Sequence, residues 1–343
     1  DDQDRLVIHT KSIGLNLHLY MIAPGMGVDP ENVIMVQNPA GGTFGYKFNP
    51  TMEALTGVAA LVTKRPVALA YDYAQQQTYT GKRSPWFTHI RLAADESGKL
   101  LAMESDWTVD HGPYSEFGDL LTLRGAQFIG SGYSIPNIRG IGRCVATNHS
   151  WGAAFRGFGA PEGEFGSEVL MDELAEKLNM DPIELRLKNY VGLGETFWGQ
   201  GPTVRSVVKS DGVPELLARG AELINWKERR KPGSQTGRFV RGIGMARGFH
   251  TSGTGAPQPG AVIDYSSAFI KINEDGSVDV ATALMDHGGG SLDALAKIVA
   301  EALGVPYEMV GMSPIDTRTT ASDVVTHATR RVYVGGATVH KMA

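Results

Sequence analysis

The placement of its glycines constrains this chain more than any other feature. Three glycine-rich segments each lead into a stretch with helix-forming character. Gly41-Gly42-Thr43-Phe44-Gly45-Tyr46-Lys47 follows the strand-like run Val33-Ile34-Met35-Val36 and precedes Asn49-Pro50, a pair suited to starting a helix. Ala154-Phe155-Arg156-Gly157-Phe158-Gly159-Ala160-Pro161 runs directly into an amphipathic pattern over 164–178, and Asp286-His287-Gly288-Gly289-Gly290 stands before another over 291–303. A glycine loop between a strand and a helix start aims backbone N–H groups at an anion. Taken singly, each segment has a plain alternative: a tight turn needing positive φ, a surface arginine, or a hydrogen-bonded structural histidine. Three in one chain point to a large, extended, anionic ligand lying across several loops. The first segment does not end in Gly-Lys-Ser/Thr, so it is no Walker loop, and its glycine spacing is wrong for a dinucleotide fingerprint. No His-Glu-x-x-His and no paired His and Cys spacing occurs, which argues against a protein-ligated zinc site.

The 343 residues, 42% of them hydrophobic, suffice for a sizeable core and about two domains. A net charge of -5 gives no basic surface for nucleic acid or an anionic membrane. Cys144 is the single cysteine, so the chain can form no internal disulfide and hold no iron–sulfur cluster; a small buried hydrophobe is its plain reading. A cysteine-poor chain with no signal peptide and no long apolar run fits a cytoplasmic location and is compatible with the periplasm. The first residue is Asp1 rather than Met, residues 6–10 already read as a strand, and residues 335–343 have no tail composition. Both ends therefore read as cut from a larger protein or assembly.

The apolar spacing predicts a helix over 49–62, closed at Pro66, then a strand over 67–73. A hairpin follows, 89–94 with 100–109 across a turn at 95–99. Asp181-Pro182-Ile183-Glu184 is a further helix start, with a capping Asp, Pro in the first turn and Glu three residues after the cap. The pattern weakens around Trp198 and again at the charge run 227–231, which places a boundary between 199 and 233. The expected organisation is a first domain over 1–205, a linker over 206–235 and a second domain over 236–343. A second hairpin pairs 267–272 with 277–284, and the helix 291–303 is ended by Gly304 with Pro306 beyond. There is no sequence repeat. Helices and strands mix without strict alternation, so the fold class is α+β or irregular mixed α/β.

The glycine segments resemble the pterin-binding loops of the xanthine oxidase family, in its bacterial aldehyde oxidoreductase form. Gly41 to Lys47, with Phe48 after it, is similar to the family's Gly-Gly-x-Phe-Gly loop, and Ala154 to Gly159 to its Ala-Phe-Arg-Gly-Phe/Tyr-Gly segment. The stretches 110–119, 120–128 and 135–140 are also similar; the resemblance is close over about 1–190 and looser from Val191 onward. It implies elongated α+β molybdopterin-binding domains, here truncated at both ends. It implies molybdenum held by a pterin dithiolene rather than by protein side chains, with the pterin carrying a cytosine dinucleotide. The implied reaction is aldehyde plus water to carboxylic acid, electrons leaving through [2Fe-2S] clusters in the missing part. The implied partners are the aldehyde, an iron–sulfur domain or subunit and an electron acceptor protein, with room for a homodimer and no role for nucleic acid or membrane.

Carried over position by position, the resemblance implies cofactor binding by Gly41, Gly42, Thr43, Phe44, Gly45, Phe155, Arg156, Gly157, His287, Gly288, Gly289 and Arg330. It implies a substrate channel lined by Phe48, Phe117, Leu120, Arg124 and Phe158; for the aromatics, ordinary core packing is the competing reading. Purine-oxidising relatives carry Glu where Phe48 stands, which favours an apolar aldehyde. The sequence also departs from the family. The usual His-Gly-Gln-Gly is His287-Gly288-Gly289-Gly290, which removes a Gln side chain, and the usual Ser-Arg-Gln is Thr329-Arg330-Arg331. The family's base, a Glu in Gly-x-Gly-Glu, has no counterpart here, so the catalytic residue is unknown and the segment alone is expected to be inactive. Two other readings stay open: a non-catalytic relic that keeps the scaffold and binds pterin, and an unrelated phosphate-binding domain.

Overall fold

A computed structural model of the chain describes residues 1, 3–114, 117–196, 207–229, 233–253 and 264–343. Its first unit is a strand–helix–strand: β1 (Leu6–Thr10), α1 (Leu15–Met26) and β2 (Val33–Gln37), with the strands parallel from Leu6 beside Val33 to Thr10 beside Gln37. The connection needs a crossover because parallel neighbours cannot be joined by a hairpin. Gly27, at φ 68, ends α1 in the left-handed conformation that glycine adopts without strain. α2 (Glu53–Thr63) covers this unit. It begins four residues after Asn49, not at it: the Glu53 carboxylate turns back to accept the N–H groups of Thr51 and Met52 at 2.6 and 2.9 Å. The strand expected over 67–73 does not form. That stretch is irregular and mostly exposed, and α3 (Tyr73–Tyr79) follows, with Asp72 and Gln75 forming a capping box.

The next unit is a sheet of β3 (Trp86–Ala94), β4 (Leu100–Asp110) and β5 (Asn137–Val145). β3 and β4 form the expected hairpin, and α4 (Gly118–Phe128) carries the chain over to β5, parallel to β4. α5 (Ala160–Lys177) and α6 (Pro182–Asn189) pack against this sheet. α5 starts four residues before the predicted 164, with Pro161 in its first turn; α6 starts as predicted, Asp181 accepting the N–H of Ile183 at 2.8 Å. Met171, Ala175 and Leu185 meet Leu100, Met103 and Trp107 in one buried cluster. α7 (Val213–Leu223) lies beyond. Trp198 and the end of the charge run at 230–231 lie outside the described residues.

The third unit repeats the hairpin-and-crossover plan. β6 (Ala268–Ile272) and β7 (Val278–Thr282) are antiparallel, α8 (Ser291–Leu303) crosses over, and β8 (Val310–Met312) lies parallel to β7. Gly304 ends α8 at φ 69, as its sequence position predicts. A π-helical turn (Arg331–Gly335) leads into α9 (Gly336–Met342), which packs on α8. The architecture is the expected mixed class, but one of its three buried clusters crosses the sequence boundary. Ala283, Met285, Ile315 and Val325 are buried with Ile8, Leu15, Met35 and Phe48 of the first unit. Backbone bonds join them: Gln37 N–H to Ile315 O at 2.9 Å, Thr317 N–H to Met35 O at 3.0 Å, and Thr326 N–H to Ile13 O at 2.8 Å.

Two of the largest wholly buried side chains are arginines, Arg186 and Arg330. Arg186 bonds Glu168 Oε2 at 2.8 Å, Asp172 Oδ1 at 2.7 Å and the Glu168 carbonyl at 3.1 Å, while Tyr133 donates to Glu168 Oε1 at 2.5 Å. Breaking such a pair strands a buried charge, whereas replacing both partners by apolar groups need not destabilise. Arg186→Met is therefore expected to cost about 3–5 kcal/mol in urea unfolding. Adding Glu168→Met should recover much of that loss. Equal stability of wild type and the single variant would show that the pair does not hold α5 to α6.

Candidate functional site

The first two glycine segments touch, and the third lies within electrostatic reach of the first. In the first, Phe44 at φ 51 and Gly45 at φ 99 turn the chain, leaving Phe44 59% exposed and Thr43 buried. A Cβ on Gly45 would lie 2.9 Å from the Ala154 carbonyl oxygen and 3.2 Å from Phe155 N, so this glycine is required for the first loop to touch the second. Lys47 Nζ reaches back to the carbonyls of Ala40 and, at 3.1 Å, Gly42, closing the loop on itself. Burial, with Lys11 adding to it, lowers the Lys47 pKa. Phe48 is buried, and its carbonyl is held by the His18 ring at 2.7 Å.

The second loop passes through Gly157, Phe158 and Gly159, all at positive φ, before α5. Phe155 and Arg156 are exposed, and among the described residues no partner takes the Arg156 guanidinium. Arg83 braces them from below: it lies over the Phe155 ring at 4.3 Å, donates to the Arg156 carbonyl at 2.7 Å and pairs with Glu162. Arg83 carried no mark in the sequence, because its partners lie 73 and 79 residues away.

In the third loop the structure departs from expectation. The N–H groups of Gly288, Gly289 and Gly290 do not stand open; all three donate to Asp286 Oδ1, at 2.6, 2.8 and 3.2 Å. Burial works against the Asp286 charge, but these bonds and one from Leu292 outweigh it, and its pKa falls below the ordinary carboxylate value. The loop's anion is thus its own side chain. His287 Nε2 is buried without a partner among the described residues. Burial, then the nearby Arg331, pushes the His287 pKa down to about 4, and Lys47 adds to the shift. The first and third loops therefore lie within electrostatic reach of each other.

A fourth segment, 327–331, closes the site. Ala328 and Thr329 both adopt positive φ, at 47 and 58. Arg330, which the resemblance makes a cofactor-binding residue, keeps its side chain inside the protein. It is 0% exposed and is spent on Asp264 at 2.6 Å, on Asp323, and on the carbonyls of Val325 at 3.0 Å and Tyr265. The guanidinium points inward because two carboxylates converge there. Arg331 is the half-buried arginine that faces the third loop, donating to Ser291 Oγ at 3.1 Å. His327, which sequence reasoning did not single out, lies with its ring 5.0 Å from that of Phe48, and burial followed by Arg330 pushes its pKa down to about 4.

Of the channel residues, the structure brings three together. The Phe48 and Phe117 rings stack at 4.3 Å, and Phe158 meets Phe48 edge-on at 6.3 Å. With Phe48 only 7% exposed, these rings fill the space between them rather than frame an open passage. Leu120 and Arg124 stand one turn apart on α4. Leu120 is exposed, while Arg124 bonds Gln127, and its Cβ is 2.7 Å from where a Cβ on Gly159 would lie. Arg124 also bears on His327 through its charge, so it borders the same cluster. Cys144 is half-buried and unpaired, and among the described residues no group of His, Cys, Asp and Glu could hold a metal ion. No described helix is long and apolar enough to cross a membrane.

The four loops fit a flat, phosphate-bearing ring system. Exposed Gly41 and Gly42 leave room for close approach, Arg156 and Arg331 supply positive charge, and His287 Nε2 is a buried polar atom that lacks a partner. Two family models match the chain, both described as molybdopterin cofactor-binding domain, over residues 1–190 and 219–343. The aldehyde oxidoreductase of Megalodesulfovibrio gigas is 50% identical over 98% of this chain, which spans 36% of that protein. The aldehyde oxidoreductase molybdenum-binding subunit PaoC of Escherichia coli is 29% identical over 91% of the chain, which spans 40% of the subunit. Among solved structures, the aldehyde oxidoreductase from Desulfovibrio gigas superposes with TM-score 0.87 at 49% identity, covering all of this chain and 37% of that one. Quinoline 2-oxidoreductase from Pseudomonas putida 86 shares the fold at TM-score 0.83 and 22% identity, with 99% of this chain and 44% of that one covered.

Both shifted histidines give the site a pH signature. Each has a folded pKa of about 4, below its ordinary value of 6.5. Between those values the unfolded chain binds protons that the folded chain refuses, so stability is full above pH 6.5 and falls as the pH drops toward 4. His327→Gln should therefore show a shallower loss of Tm than wild type between pH 6.5 and 4.5. Parallel slopes in a pH series of thermal melts would mean that His327 is not buried as a neutral ring.

Proposed function

The chain belongs to the molybdopterin cofactor-binding domain family, and from that premise we propose that it is part of a molybdenum-dependent oxidoreductase that converts an aldehyde to a carboxylic acid, with water as the oxygen source. It spans only about a third of the first of the relatives it matches, so the activity is that of the whole protein. Electrons would pass to iron–sulfur clusters outside this chain. One observation carries the reading: four loops distant in sequence pack around Phe48 and Lys47, with an unengaged arginine and an unpartnered buried imidazole among them.

Gly41, Gly42, Thr43 and Gly45 would bring backbone against the pterin, and Phe44 would lie beside it. Phe155, Arg156 and Gly157 would hold its edge, Arg156 meeting phosphate or ring oxygens through its planar guanidinium. His287 would offer Nε2 as a neutral partner, since an imidazole with a pKa of about 4 carries no charge at neutral pH. Gly288 and Gly289 would shape that loop by their backbone course rather than by free N–H groups. Arg330 would act by fixing the fourth segment from within. When bound, the molybdenum–pterin group supplies Lewis-acid and two-electron redox chemistry that no side chain here provides. Phe48, Phe117 and Phe158, bordered by Leu120 and Arg124, would present an apolar wall that excludes water and suits an apolar aldehyde. A cytosine dinucleotide on the pterin is part of the proposal; the acidic or basic catalytic group is not assigned to any residue of this chain.

The deciding experiment is metal and pterin analysis of the complete protein. Molybdenum and an oxidised pterin fluorophore in equal amounts are expected, and a protein purified without either would defeat the reading. In the same protein, Arg156→Ala removes charge-assisted bonds of about 1.5–3 kcal/mol, so cofactor should be held about tenfold or more weakly. Unchanged molybdenum content after extensive dialysis would rule Arg156 out. Phe48→Glu places an unpaired charge in the apolar wall and should lower kcat/KM for apolar aldehydes about tenfold or more. Unaltered aldehyde kinetics would remove Phe48 from the substrate path.

A further inference from the structure

We propose that the guanidinium of Arg331 replaces the side chain that position 289 lacks, and that it supplies the hydrogen-bond donors by which the third loop grips the anionic pterin group. The inference rests on the cofactor reading above and goes beyond it by assigning a binding residue. Two departures from the resembled family, Gly at 289 and Arg at 331, lie 42 residues apart and looked unrelated in the sequence. In space they are one feature. A Cβ built on Gly289 would have Arg331 Nη2 at 3.6 Å and Nη1 at 3.8 Å, with no other described residue within 4 Å apart from its chain neighbours Gly288 and Gly290. The guanidinium thus lies in van der Waals contact with the place where a side chain at 289 would begin.

The third loop needs such a donor. Its glycine N–H groups are consumed by Asp286, and Gly289 has no side chain. His287 adds an imidazole whose Nε2 is buried and unpartnered among the described residues. One bond, from Arg331 Nη1 to Ser291 Oγ, anchors the guanidinium beside exposed Gly289 and leaves its other N–H groups without a partner among the described residues. The exchange also changes the chemistry. A glutamine amide both donates and accepts, whereas a guanidinium only donates and is always charged. The group it meets must therefore accept, as a phosphate oxygen or a ring carbonyl does. Conversely, Gln at 289 with Arg331 in place sets two polar side chains in contact over the same loop, while the backbone at 289 (not at positive φ, unlike Gly288 and Gly290) tolerates the change.

The test is a double-mutant cycle in the complete protein, expressed in a molybdopterin-producing host, with bound molybdenum and pterin measured before and after dialysis. Arg331→Gln alone should lose cofactor about tenfold or more readily, as expected for a lost charge-assisted bond. Gly289→Gln alone should also lose it. The double variant should return to within about twofold of wild type, because the resembled family's pair is restored, and such non-additivity marks residues that share one task. Arg331→Lys, which keeps the charge without the planar fork, should fall between wild type and Arg331→Gln; circular dichroism checks that each variant is folded. Full retention by Arg331→Gln, losses in the double variant equal to the sum of the singles, or an unfolded Arg331→Gln beside a fully loaded Arg331→Lys would each overturn the proposal. A wild-type protein with no molybdenum or pterin would instead overturn the reading beneath it.

Discussion

A few backbone hydrogen bonds along β2 hold the rest of this structure in place. β1 and β2 alone would leave one edge of β2 with unpaired N–H and C=O groups, a costly condition in a buried strand. Residues 315–317 satisfy that edge, with Val36 bridged antiparallel to Asp316 and the Thr317 hydroxyl accepting Met35 N–H at 3.1 Å. Thr326 extends the seam: its N–H goes to Ile13 O, and its hydroxyl accepts Met285 N–H at 3.1 Å. These bonds draw the third and fourth loops onto the first. The shared core of Ile8, Met35, Phe48, Met285, Ile315 and Val325 forms behind them. A side-chain contact between Phe48 and His327 is possible only because that pairing has already fixed the register.

Burial then decides where charge can sit. His287 and His327 are pushed toward the neutral form by burial and by neighbouring arginines, and both stay neutral at physiological pH. The positive charge of the site is therefore carried by Lys47, Arg156 and Arg331. Lys47 and Arg331 both act on His287, so two of these cations stand close together in a chain whose net charge is -5. An anionic ligand would find fixed charge without any proton uptake, while each neutral imidazole keeps one donor and one acceptor nitrogen.

Local signals in the sequence were read correctly where they act locally. The capped start of α6 at Asp181, the hairpins β3–β4 and β6–β7, and the Gly304 end of α8 depend on residues within a few positions of one another. Failures came where a distant partner decides. Residues 67–73 have strand composition but find no strand to pair with among the described residues. Asn49-Pro50 has helix-start chemistry, yet the Glu53 carboxylate takes the orphan N–H groups of α2 and moves the start. Arg83 and the inward turn of Arg330 depend on ion-pair partners up to 79 positions away, for which sequence spacing gives no sign.

The glycine loops carry a sharper lesson. A run of glycines before a helix suggests an open cradle of N–H groups, but here each run solves a different steric problem. Gly45 lets the first loop lie against Ala154, where any Cβ would meet backbone at 2.9 Å. Gly159, at φ 93, lets the start of α5 approach Arg124 of α4. Gly288 and Gly290, at φ 94 and 73, fold the third loop around its own Asp286. None of these is a phosphate cradle by itself. Glycine brings the loops within contact of one another, and recognition passes to the side chains left standing between them: Arg156, Arg331 and the unpartnered face of His287. It follows that replacing a loop glycine would act first on how the loops pack and only through that on what they bind.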